Sequence, residues 1–128
     1  MYHCRLQIYF TGRRRDIFRV IREMSPLEGI THDCLESDEP EAALAARADL
    51  ILADLRELPV PAALETLCAG RRADAQLIVL AEKDQFPQLS GGLEQIQDIW
   101  TLPLSEEELR FRFSRWQQSC RERKDAWE

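Results

Sequence analysis

The sequence predicts a doubly wound α/β domain, a parallel sheet covered by helices on both faces. Two continuous apolar runs, Leu50-Ile51-Leu52-Ala53 and Leu77-Ile78-Val79-Leu80-Ala81, have the pattern of strands buried on both sides. Shorter strand-like and helix-like stretches alternate with them along the whole chain. With 128 residues, 45% of them hydrophobic, and only 5 Gly and 6 Pro, the chain can bury one core and is too apolar for disorder.

Leu6-Gln7-Ile8-Tyr9-Phe10 reads as a first strand that runs into a turn at Thr11-Gly12. Ile17, Val20, Ile21 and Met24 then recur at helical spacing from Asp16 onward, until Ser25-Pro26 and Gly29 close the segment. Residues 30–35 form a second strand. Pro40 opens the next helix at its first turn, where a missing N–H costs nothing, and residues 42–46 continue it. The third strand, residues 50–53, ends in Asp54, and a helix over residues 61–68 stops near Gly70. After the fourth strand at residues 77–81 comes a helix over residues 89–96, softened by Ser90-Gly91-Gly92. Ile99-Trp100-Thr101-Leu102 is a last strand before Pro103. Ser105-Glu106-Glu107-Glu108 is a capping box that starts the final helix. In such folds the site lies at the carboxyl ends of the strands.

The formal charge of −6 argues against a chain that coats nucleic acid, so no direct nucleic-acid binding is expected. No apolar run approaches the roughly 18 residues of a membrane span, and the first residues lack a signal-peptide core, so a cytoplasmic protein is expected. Cys4, Cys34, Cys68 and Cys120 form no C-x-x-C pair and read as reduced thiols. His3 and His32 have no partners at metal-ligand spacing, and His32 on a strand reads as structural. Neither a Ser-His-Asp arrangement nor a Gly-x-Ser-x-Gly turn is present, so no enzyme and no metal site are expected.

Asp49-Leu50-Ile51-Leu52-Ala53-Asp54, preceded by Glu39-Pro40-Glu41-Ala42-Ala43-Leu44, resembles the middle of the receiver domains of bacterial response regulators in two-component signalling. Residues 77–81 look like their fourth strand, and Thr101-Leu102-Pro103-Leu104-Ser105 like their fifth strand and the start of their last helix. The resemblance covers essentially the whole chain. It implies a flavodoxin-like five-stranded sheet of order 2-1-3-4-5, with a phosphoacceptor aspartate at the position of Asp54.

Other stations of that family are altered. Its acidic pair after the first strand, which holds magnesium, is Thr11-Gly12 here, its hydroxyl after the fourth strand is Ala81, and its lysine before the fifth-strand proline is Leu102. Losing metal ligands, hydroxyl and cation together removes most of what positions and stabilises a transferring phosphoryl group. Magnesium binding is therefore not expected, and Asp54 is expected to pair with a neighbouring cation such as Lys83. Pro59 also lies five residues after Asp54 rather than the family's usual four, which makes the following loop unusual.

Arg13-Arg14-Arg15 opposes the dipole of the helix it begins, so local helix stability did not select it. Arg13 and Arg15 are candidates for an anion or nucleotide site beside Thr11-Gly12. The final helix, residues 105–128, has no Pro or Gly and would be about 36 Å long, longer than one sheet needs. Residues 1–118 are read as the domain and 119–128 as a continuation toward a linker or output. Leu109, Phe113 and Trp116 face the core, whereas Cys120 and Trp127 are expected beyond the sheet's edge. Phe111, Trp116 and Trp127 are the candidate interface residues for a partner or for a homodimer through the fourth and fifth helices.

The resulting expectation is a degenerate receiver-like module that acts by protein contacts. It would form the N-terminal regulatory part of a signalling protein such as a diguanylate cyclase. A phosphoacceptor with atypical ligands and a nucleotide sensor are the alternatives.

Overall fold

The computed structural model describes residues 4–126. Five strands, β1 (Cys4–Thr11), β2 (Ile30–Ser37), β3 (Leu50–Asp54), β4 (Gln76–Glu82) and β5 (Asp98–Leu102), form one sheet of order β2-β1-β3-β4-β5. All neighbouring pairs are parallel, as the flavodoxin-like arrangement requires. The helices are α1 (Asp16–Glu23), α2 (Ala42–Ala45), α3 (Val60–Gly70) and α4 (Glu106–Ala126), with a 3₁₀ segment over Lys83–Gln95.

Alternation along the strands divides the core into two layers. Leu6, Ile8, Phe10, Leu50, Leu52, Leu80, Trp100 and Leu102 meet α1 and α4 through Phe18, Ile21, Leu109, Phe113 and Trp116. Tyr9, Ile51, Ala53, Leu77, Val79 and Ala81 meet α2, α3 and the 3₁₀ segment through Ala45, Leu64, Leu67 and Leu89. β3 is buried along its whole length, which explains its unbroken apolar sequence.

Two expected helices differ. The helix after Pro40 is a single turn, because Glu41 is extended and its N–H is held by the Tyr9 hydroxyl at 3.0 Å. Its far end turns at once into β3, with Asp49 N–H donating to Gln7 O at 2.8 Å. The fourth helix is the 3₁₀ segment, which begins at Lys83, two turns earlier than expected, on a capping box between Glu82 and Gln85. Pro87 inside it removes a donor and crowds the preceding turn, so a regular α-helix cannot propagate.

Ser105 Oγ caps α4 by accepting the Glu108 N–H at 3.1 Å. Cys120, expected beyond the sheet's edge, is buried in the same cluster as Phe113 and Trp116. Among the described residues no helix is long and apolar enough to cross a membrane.

Candidate functional site

Asp54, the last residue of β3, is fully buried at the carboxyl end of the sheet. Strand alternation places it on the layer of Leu50, Leu52 and Leu102, facing α1. Its partner is not Lys83 but Arg56, two residues on. Arg56 donates its backbone N–H and Nε to Asp54 Oδ1 at 3.1 and 3.0 Å, and Nη2 to Oδ2 at 2.6 Å. The same Nη2 lies 2.9 Å from Oδ1 of Asp16, the first residue of α1. One guanidinium thus bridges two carboxylates, one ending β3 and one starting α1.

Chain geometry after β3 makes this possible. Leu58 N–H donates to Leu55 O at 3.2 Å, closing a tight turn with Arg56 and Glu57 in the middle. Glu57 has φ 65°, a left-handed conformation that is uncommon outside glycine. This turn carries the extra residue before Pro59, the N-cap of α3. Arg13 Nη1 holds the Glu57 carbonyl at 2.8 Å, and Arg14 reaches the Glu57 carboxylate at 3.4 Å. Cations of the β1–α1 loop therefore grip the β3–α3 loop, while Arg56 of the second loop grips Asp16 at the start of α1.

The electrostatics follow from these contacts. Hydrogen bonding to Asp54 raises the Arg56 pKa above its already high ordinary value, so the guanidinium is permanently charged. Burial works to raise the Asp16 carboxyl, but the Arg56 hydrogen bond and charge outweigh it and hold the group below the usual carboxylate range.

The remaining sequence-predicted positions are distributed around this centre. Gly12, with φ 152°, passes directly over Asp54: a Cβ on it would lie 2.8 Å from Asp54 O and 2.9 Å from Asp54 Cβ. Thr11 is fully buried and its Oγ1 has no hydrogen-bond partner among the described residues. Ala81 belongs to the opposite layer with α3, and Leu102 packs into the α1–α4 layer. Arg13 and Arg15 are engaged by carboxylates, Arg13 by Glu39 at 2.6 Å and Arg15 by Glu36 and Asp38. Lys83 is exposed at the start of the 3₁₀ segment.

Of the interface candidates, Trp116 is buried and donates its indole N–H to Gln76 at 2.7 Å, so it faces the core rather than solvent. Phe111 is 61% exposed, with the Arg115 guanidinium over its ring. Trp127 lies outside the described residues. Arg56 and Asp16 were missed as site residues. The short Asp54-x-Arg56 spacing was the available signal, since a turn after a strand can fold residue i+2 back onto residue i.

Among the described residues no group of three or more His, Cys, Asp or Glu side chains is arranged to hold a metal. The magnesium implied by the resemblance does not fit these residues: the two carboxylates nearest its expected place are already bridged by a guanidinium, and Thr11-Gly12 adds none.

No protein-family model and no curated protein matches the chain by sequence. Solved structures do match. The receiver domain of AraT, a response regulator from Geobacillus stearothermophilus, superposes with a TM-score of 0.64 at 19% identity, covering 93% of this chain and 98% of that one. The signal receiver domain of an HD domain-containing protein from Pseudomonas fluorescens gives 0.58 at 18% identity, covering 93% of each chain. A response regulator receiver modulated diguanylate cyclase from Pelobacter carbinolicus gives 0.57 at 15% identity, covering 91% and 98%. The chain therefore has the fold of response-regulator receiver domains.

Proposed function

We propose that this chain is a receiver-like signalling module that works through protein contacts, with little or no phosphotransfer and no bound magnesium. The observation that supports this reading is the Asp54–Arg56 pair. An aspartyl nucleophile needs an oxygen free to approach phosphorus in line, and a cation to neutralise the phosphoryl oxygens. Here both oxygens of a fully buried carboxylate are taken by the chain's own guanidinium.

The output is a joined domain or a protein partner, and a diguanylate cyclase is the favoured one. Likeness to the Pelobacter carbinolicus receiver-modulated cyclase supports that choice. The exposed Phe111 on α4 supports contact through this face, including contact with a second copy.

The test is the intact mass of the protein after incubation with acetyl phosphate and magnesium, beside Asp54→Ala and a working receiver treated in parallel. No added phosphoryl group is expected on the parent chain. An addition that Asp54→Ala abolishes would overturn the reading.

A further inference from the structure

We propose that the free edge of β2 is a self-association surface, on which two copies of this chain join by antiparallel β2–β2 pairing centred on Cys34. This surface is separate from the Asp54 pocket and from the Phe111 face of α4, which lies beside Asp98 of β5 at the opposite edge of the sheet.

β2 ends the sheet, so one side of its backbone has no strand partner. The Gly12 N–H donates to Ser37 O at 3.1 Å, so Ser37 turns its backbone groups toward β1. Alternation turns Thr31, Asp33 and Leu35 the same way and leaves the N–H and C=O groups of His32, Cys34 and Glu36 facing outward. Edge strands that stay single are blunted by shortness, by Lys or Pro, by a bulge or by free charge. β2 is eight residues long, contains neither Lys nor Pro, and is matched residue for residue with β1. Its two carboxylates are already neutralised within the chain, Asp33 by Arg5 at 2.9 Å and Glu36 by Arg15 and by Arg22 at 2.7 Å.

Parity and charge select both the occupant and the register. Outward-facing residues of one strand must meet outward-facing residues of the other, so a two-fold axis that keeps most of the strand paired passes through Asp33, Cys34 or Leu35. An axis at Asp33 sets that carboxylate against its own copy, a destabilising like-charge pair. An axis at Leu35 sets His32 against Asp38, beyond the end of the strand. With the axis at Cys34, residues 31–37 all find partners: His32 meets Glu36, Asp33 meets Leu35, Thr31 meets Ser37 and Cys34 meets its own copy. No like charges oppose each other, and an imidazole faces a carboxylate on each side of the axis. The arrangement closes on itself, so it yields a dimer and not a filament. A contact along one strand is small, so the dimer is weak and its population rises with concentration.

Facing Cα atoms in a hydrogen-bonded antiparallel pair lie about 5.5 Å apart, inside the range of about 4.4–6.8 Å that a disulfide spans. The test is therefore disulfide capture with diamide, which takes up the two thiol hydrogens as the S–S bond forms. Two versions of the 128-residue chain are compared, Cys4→Ser with Cys68→Ser, which keeps Cys34, and Cys4→Ser with Cys34→Ser, which keeps Cys68. Both thiols are half-buried and burial raises the pKa of each, so Cys68 is the matched control. The covalent dimer is expected to form about tenfold faster through Cys34, because association raises the local concentration of the facing thiol. In sedimentation the dimer fraction of the parent is expected to rise with concentration. Cys34→Pro, which removes an outward N–H at a position where an edge strand tolerates proline, is expected to stay monomeric.

Equal rates of capture through Cys34 and Cys68 overturn the proposal, as does a Cys34→Pro chain that is folded by circular dichroism and associates like the parent. If Cys34→Pro does not fold, the capture rates decide alone. Phe111→Ser is expected to leave capture through Cys34 unchanged, and its loss would move the association to α4 and overturn the proposal. Failure here is distinct from failure of the functional reading, which shows as phosphoryl mass on the parent chain.

Discussion

The carboxyl end of the sheet is tied together by guanidinium–carboxylate contacts, Arg56 with Asp54 and Asp16 and Arg14 with Glu57. The amino end of the same strands is tied mostly by neutral groups. Trp116 donates to Gln76, Gln97 accepts the Leu77 N–H, and Gln117 Oε1 accepts both the Leu27 N–H at 3.3 Å and His32 Nε2 at 2.9 Å. Because the Leu27 N–H fixes the orientation of the Gln117 amide, His32 must carry its proton on Nε2. Charge also operates at this end: Asp49 accepts the Gln7 N–H at 2.8 Å and the Arg72 guanidinium at 2.6 Å, and this contact raises the Arg72 pKa. The amides hold helix α4 on the sheet through directional bonds that need no counter-ion. The charged end holds two loops through a buried ion, and a buried ion is costly when its partner leaves.

The largest expected effect breaks the charged end. Arg56→Ala leaves the Asp54 carboxylate buried and unpaired, and should cost about 3–5 kcal/mol in urea unfolding. The double variant Asp54→Asn, Arg56→Leu removes both charges and should recover most of that loss. If it does not, packing of the arginine stem rather than the ion pair is what stabilises the turn. At the amino end, Asp49→Ala orphans the Gln7 N–H and releases Arg72, and a loss of about 1–3 kcal/mol is expected in the same assay.

Acid separates the two ends without mutation. Burial lowers the His32 pKa from its ordinary 6.5, so the unfolded chain binds a proton that the folded chain resists. The amino end therefore has its full stability above pH 6.5 and loses it as pH falls from there to the lower folded value. Asp16 is held below its ordinary 3.8, so the stability it lends the carboxyl end is present above that pH and is lost only as pH falls below it. A pH series of unfolding midpoints should show two separate declines, and His32→Phe should remove only the upper one. The smallest effect on stability belongs to Phe111→Ser, within about 0.5 kcal/mol because the ring is exposed. In sedimentation this variant should shift any self-association of the parent toward monomer, and an unchanged distribution would take α4 out of the contact surface.

The parts of this comparison legible in the sequence are those governed by periodicity. β3 and β4 announced themselves as apolar runs, and the register of α1 and α4 followed from the spacing of Ile17, Ile21, Leu109 and Phe113. Asp54 was legible because a charged residue ending a buried strand is conspicuous. Its partner was not, because the choice between Lys83 and Arg56 depends on a left-handed Glu57, which no propensity favours. The short α2 and the 3₁₀ segment were misread for a related reason. Alanines after Pro40 and a near-periodic stretch at residues 89–96 satisfy a local helix rule, while a hydroxyl from β1 and a proline at 87 decide the outcome. Cys120 was placed outside the core because sequence does not tell how far a sheet extends beneath a helix.

The backbone of Gly12 running over Asp54 leaves no room for a side chain at residue 12. A carboxylate introduced at residue 12 would first need a Cβ where Asp54 O lies 2.8 Å away, in a backbone conformation that L-residues rarely adopt. A single substitution to an acid at residue 12 would therefore strain the β1–α1 loop. An acid placed directly over Asp54 would require the β1–α1 loop to be rebuilt first.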